Sequence, residues 1–100
     1  MANRDIEFEW DPKKAASNFY KHGVTFEEAT KVFYDEERIE EEDYTSHEAR
    51  WRTLGISKAF LLLLVVNTVK ENGNETIRII SARRASSAER KKYHGRRKLG

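Results

Sequence analysis

Residues 83–98 hold eight Lys or Arg and a single acid, Glu89. The segment before them (Thr76, Ile77, Arg78, Ile79, Ile80, Ser81, Ala82) is rich in β-branched residues and reads as a strand that Arg83 and Arg84 close. Ser86 and Glu89 then form an S-x-x-E capping box, the start of a helix carrying Arg90, Lys91, Lys92 and Tyr93. An arginine fork matches phosphate oxygens and stays charged at any working pH. Cations set on a strand end and the next helix can therefore hold a phosphodiester in one place, which a loose basic tail cannot. Arg52 and Arg78 lie in predicted strands and would add to the clamp. On ideal strands Arg50, Arg52 and Leu54 share one face, as do Arg78, Ile80 and Ala82, while Arg83 and Arg84 point to opposite faces.

Proton carriers are fewer. His22, Glu89, Tyr93 and His94 are the candidates, and Glu89 and Tyr93, spaced i and i+4, share a helix face. Each candidate also has a structural explanation. Glu89 serves its capping box, His22 sits where a cation suits a helix C-terminus, Tyr93 can cover a core edge, and Arg78 can pair with a Glu of the first strand. His22, His47 and His94 are scattered without metal-ligand spacing, and there is no cysteine, which excludes disulfides, thiol nucleophiles and Cys zinc sites.

The elements that must position these residues follow from period and caps. Ile6, Phe8 and Trp10 alternate with Glu7 and Glu9, as in a half-buried strand. Asp11-Pro12 opens a helix that should run to His22, bury Ala15, Ala16 and Phe19, and stop at Gly23. Thr25 and Glu28 make a second capping box, and Phe26, Ala29, Thr30 and Phe33 form the stripe of a short helix ending near Tyr34. Ile39 pins a short edge strand within the acidic residues 35–43. A strand over 50–56, an apolar strand over 59–66, an Asn-Gly turn at 72–73 and a returning strand over 75–82 complete the sheet. Trp10, Phe19, Phe26, Phe33 and Trp51 read as core. The expected class is α+β: a small antiparallel sheet packed with two N-terminal-half helices and a C-terminal basic helix. Residues 1–94 form the expected single domain, and 95–100 an expected disordered basic tail.

Charge is split along the chain. Residues 1–50 hold 7 Lys/Arg against 14 Asp/Glu, net −7, and residues 51–100 hold 12 against 3, net +9. Such a split predicts an electrostatic dipole whose basic pole attracts polyanions, unless the fold mixes the two signs. Residues 1–6 lack the apolar core of a signal peptide, and eight apolar residues at 59–66 fall far short of a membrane span, so a reducing, cytoplasmic setting with no membrane contact is expected.

Several strings converge on one family. Phe8-Glu9-Trp10-Asp11 with Lys14, Asn18 and Lys21-His22-Gly23 resembles the opening of the BrnT toxins, as do Phe26, Ala29, Phe33 and Asp35. Arg52 with Gly55, and residues 78–85 with Glu89 and Tyr93, resemble its second half. The resemblance implies a RelE-like fold and a metal-independent endoribonuclease toxin of a bacterial type II toxin–antitoxin module that needs no cofactor. It also implies a ribbon-helix-helix antitoxin, joined as a hetero-oligomer of two toxins and two antitoxins that reaches operator DNA only through the antitoxin. The acidic run at 35–43 and the basic tail depart from the pattern. Metal-free RNA cleavage needs a base for the 2′-hydroxyl, cations for the charge growing on phosphate, and an acid for the 5′-oxygen. Arg52, Arg78, Arg83, Arg84, Tyr93, Glu89 and His22 are the expected catalytic set, and Arg83, Arg84, Arg90, Lys91 and Lys92 the expected RNA contacts. The alternative is a non-catalytic RNA-binding module, or a co-repressor acting only through its antitoxin.

Overall fold

The computed structural model describes residues 5–45 and 47–99. The strands are β1 (Ile6–Glu9), β2 (Ile39–Asp43), β3 (Arg50–Ile56), β4 (Leu62–Asn72) and β5 (Asn74–Arg84). The helices are α1 (Pro12–His22), α2 (Phe26–Thr30), continued by a 3-10 segment (Lys31–Tyr34), and α3 (Ser87–Leu99). The sheet order is β1-β5-β4-β3-β2. From β2 to β5 every pair is antiparallel, as a chain of hairpins requires. β1 is the exception to the expected antiparallel sheet: it lies parallel to β5, with Phe8 opposite Ile77 and Glu9 opposite Arg78. Helices rather than a tight turn follow β1, so nothing forces it to reverse.

Predicted caps appear where the sequence places them. The Asp11 side chain accepts from Lys13 N at 2.9 Å, and Gly23 N donates to Phe19 O at 2.8 Å to stop α1. Thr25 accepts from Glu28 N at 3.0 Å, but the Glu28 carboxylate turns away to accept from Ala59 N at 3.4 Å, so that capping box is half made. The apolar run enters the sheet later than expected. Ser57 N donates to Leu61 O and Phe60 N to Ser57 O, a turn that leaves Phe60 at φ 63 and exposed, and β4 begins at Leu62. At the other end α3 continues to Leu99, so residues 95–99 extend the helix; Gly100 and residues 1–4 lie outside the described residues.

One sheet face carries the main core, where Phe26, Ala29, Val32 and Phe33 pack on Leu63, Val65, Ile77, Ile79 and Ala82. Trp10 meets Phe26 edge-on at 5.8 Å. On the other face Tyr93 of α3 packs with Leu54, Leu62 and Leu64. Gly55 allows the 3-10 segment to approach β3: a Cβ there would sit 3.1 Å from both Cβ and O of Val32. Gly55→Ala is expected to cost about 1–3 kcal/mol by forcing these layers apart, read as a shift in denaturant midpoint.

Phe19 corrects the expected core: it is 54% exposed, whereas Asn18 is 6% exposed. β1 pairs only with residues 75–78, which leaves the outer edge of β5 at Ala82 without a strand. Asn18 fills that place, donating Nδ2–H to Ala82 O at 2.8 Å and accepting from Ala82 N at 3.1 Å. A second Nδ2–H reaches Val24 O at 3.1 Å. Helix α1 is thus docked side-on by an amide, which turns Phe19 and Ala16 outward. No helix among the described residues is long and apolar enough to cross a membrane.

Candidate functional site

The register decides which arginines meet. Residues opposite one another in adjacent strands share a sheet face. Arg52 pairs with Val66, Val66 with Ser81, Thr68 with Arg78, and Leu64 with Arg83. Between Val66 and Asn67 the register shifts: Ser81 is opposite Val66 but Ile79 is opposite Asn67, so Ile80 is an extra residue on β5. The bulge corrects the expected alternation. Ala82 moves into the main core on the far face, and Arg83 joins Arg78 and Arg52 on the near one. Arg84, opposite Leu63, keeps the other face.

The near face is half covered. Tyr93 closes its upper part over Leu54, Leu62 and Leu64. Below, Arg52, Lys70 and Arg78 are exposed and Val66, Thr68 and Ser81 partly so. A cavity of about 460 Å³ opens there, lined by Thr68, Lys70, Thr76, Arg78, Glu9 and Glu48 among others. The charge split does not become a two-pole dipole. Acidic β1 and β2 lie at the two edges and basic β5 and β3 inside them, with Glu9 opposite Arg78 and Glu41 opposite Arg52. The result is a basic band between acidic margins, and the acidic run lies beside Arg52 rather than away from it.

Each arginine is held differently. Arg78 pairs with Glu9 at 3.3 Å, both exposed, the partner the sequence pointed to. Arg83 makes a two-pronged bond to Glu89, 2.9 Å on each arm, and donates to Arg84 O at 3.1 Å, leaving two of its five N–H groups for a ligand. Arg52 makes no ion pair among the described residues; it adds to the lowering of the Asp43 carboxyl, which the Thr45 hydroxyl and N–H chiefly hold down. Of the three, Arg52 is the least committed.

Two expected proton carriers have other duties. The bond to Arg83, and after it the Ser86 N–H, pulls the Glu89 carboxyl from the usual 4.5 to about 2 against the opposing effect of burial. Ser86 N donates to Glu89 at 2.8 Å and Glu89 N to Ser86 Oγ at 3.2 Å, the predicted capping box complete. A carboxylate so held is a poor base near neutral pH. Its folded pKa is depressed, so the stability it contributes is full above about 4.5 and lost as pH falls toward about 2. Glu89→Gln is expected to cost about 1–2 kcal/mol at pH 7 and to flatten that acid limb in pH-dependent melts.

Tyr93 is 2% exposed, and its hydroxyl donates to Asp35 Oδ2 at 2.5 Å. Asp35 also accepts from Ile56 N at 2.8 Å and Glu37 N at 2.9 Å, so one carboxylate ties α3, β3 and the turn before β2. The sequence placed Asp35 at the head of the acidic run and within the family pattern, without the partners that give it this task. Lys92 contacts Glu41, while Arg90, Lys91 and His94 line a separate shallow cleft on α3. His22 lies with Ser81 on the rim of the near face, in a cleft between α1 and β5. Unlike Glu89, which is bound to Arg83, and Tyr93, which is buried, His22 is exposed. Among the described residues no three His, Cys, Asp or Glu side chains gather as metal ligands would.

A mostly antiparallel sheet with helices on both faces and an uncovered band of arginines defines a small α+β domain suited to a polyanionic ligand. The model of the family described as ribonuclease toxin, BrnT, of type II toxin–antitoxin systems matches residues 10–89, and the chain belongs to that family. Such a toxin implies an RNA substrate and an antitoxin partner. Among solved structures, the crystal structure of the Brucella abortus ribonuclease toxin BrnT superposes with a TM-score of 0.57. The alignment covers 82% of this chain and 99% of that one at 24% identity, a likeness of fold. Comparison with curated proteins gives no match.

Proposed function

We propose that this chain is a metal-independent endoribonuclease whose active surface is the basic band of the near sheet face. The observation that supports this most is the bulge at Ile80, which brings Arg83 onto the face of Arg52 and Arg78. β5 and β3 are two strand spacings apart, about 10 Å, which suits one RNA strand lying across Val66 and Thr68. A phosphodiester there would meet cations from both sides. The 2′-oxygen attacks phosphorus while its proton passes to the His22 imidazole, the P–O5′ bond breaks, and the 5′-oxygen takes a proton from water. The arginines stabilise the charge that grows on the non-bridging oxygens. Arg90 and Lys91 add salt-sensitive affinity for flanking backbone.

In the cytoplasm such cleavage would stop translation and growth. A ribbon-helix-helix antitoxin would neutralise it in a complex of two toxins and two antitoxins, and operator DNA would be met only by the antitoxin. Induced expression, with growth and total RNA followed in the presence and absence of the cognate antitoxin gene, tests this reading. The expected result is RNA fragmentation and arrest that the antitoxin relieves. The second reading, a non-catalytic RNA binder or co-repressor, draws on the scarcity of proton carriers on the band. Arrest with intact RNA would favour it.

A further inference from the structure

Helix α1 (sequence PKKAASNFYKH) carries no acidic residue, although it lies in the half of the chain that is net −7. The paired hydrogen bonds of Asn18 to Ala82 lay it side-on along β5. Lys14, Ser17, Lys21 and His22 consequently face Ile80 and Ser81 across a cleft of about 200 Å³ whose lining includes no acid. Neither Lys14 nor Lys21 pairs with an acid among the described residues, unlike Arg78, Arg83 and Lys92. The two lysines are seven positions apart, about two helical turns or roughly 10 Å, a span that suits a strand passing by better than one compact anion. The volume is below the roughly 300 Å³ at which pockets for whole organic ligands begin, so the cleft fits backbone rather than a base. It is continuous with the arginine band through Ser81, which lies on the band's face.

We propose that the α1–β5 cleft is a second phosphate subsite, which takes the RNA backbone as it leaves the sheet face over Ser81. The proposal rests on the ribonuclease reading and specifies its substrate: a single strand extending beyond the cleaved bond, held by Lys14 and Lys21. These lysines fall in the acidic half of the sequence and outside the basic run, so charge counting passes over them.

The test uses the full chain and non-cleavable 2′-O-methyl RNAs of four and twelve nucleotides, with affinity measured across salt concentrations. The variants are the double substitution Lys14→Gln with Lys21→Gln, and Lys13→Gln, one position off the cleft. Each phosphate contact on a single strand contributes about 0.7 to the log–log salt slope. The double variant should lose about 1.4 from the slope and about tenfold in affinity for the twelve-mer, and little for the four-mer, whereas Lys13→Gln should match the wild type. Thermal melts confirm that the exposed substitutions leave the fold intact. An unchanged twelve-mer affinity and slope overturns the proposal, as does an equal loss at both lengths, or a loss of antitoxin binding with RNA binding retained. Failure of the ribonuclease reading is distinguishable, because the wild-type chain would then leave cleavable RNA of either length uncut.

Discussion

Arg52→Ala is expected to lower RNA cleavage by about 100- to 1,000-fold, the usual effect of removing one preorganised charge donor from a reacting phosphate. Growth arrest on induction should fall with it. Arg52 is the clean test because it is exposed and forms no ion pair among the described residues, so alanine leaves no partner stranded. Arg83→Ala would be ambiguous. It frees the Glu89 carboxylate, which is only 16% exposed, and loosens the start of α3 as well as the band. Arg84 faces the other way, so Arg84→Ala should cost less than about tenfold. Equal losses at Arg52 and Arg84, measured as cleavage per folded molecule, would mean that charge alone and not the face matters.

The second large effect concerns stability. Asp35→Ala removes one acceptor from the Tyr93 hydroxyl and from the N–H groups of Ile56 and Glu37. Losing these three bonds in a partly buried place should cost about 2–4 kcal/mol, a large share of the 5–15 kcal/mol typical of a small domain. Tyr93→Phe deletes only the hydroxyl and should cost about 1–2 kcal/mol. It should leave cleavage per folded molecule unchanged, since the ring is buried among Leu54, Leu62 and Leu64 and its hydroxyl is held by Asp35. Urea titration gives the stability and a cleavage assay at low denaturant gives the activity. A cleavage loss of 100-fold in a folded Tyr93→Phe variant would restore Tyr93 to the chemistry.

The order of elements was legible because each is announced locally. Asp11-Pro12, Thr25, Ser86 with Glu89, and Asn72-Gly73 are caps and turns whose physics lies within a few residues. The bulge at Ile80 was not legible, because Thr76 to Arg84 alternates as well with an extra residue as without one. That single residue determines which arginines share a face. Phe19 was misjudged for the opposite reason. The helical period chose Phe19 for the core, whereas the bare edge of β5 at Ala82 required an amide, and a tertiary hydrogen-bond need overrode the apolar pattern. The acidic strand β2 was seen as an edge, but its place beside Arg52 came only from the register. Arginines on strands were legible as phosphate clamps; Glu89 was legible as a capping-box residue and Tyr93 as a member of its helix face, without Arg83 and Asp35, which occupy them.

Cleavage of a single RNA by the purified chain in EDTA, compared with the same RNA carrying one 2′-deoxy nucleotide at the mapped cut, tests the central claim most directly. The account predicts cleavage of the all-ribose strand that Arg52→Ala suppresses, a 2′,3′-cyclic phosphate at the new end, and no cut at the deoxy position. Cleavage that requires an added metal ion, or that persists at the deoxy position, would contradict it.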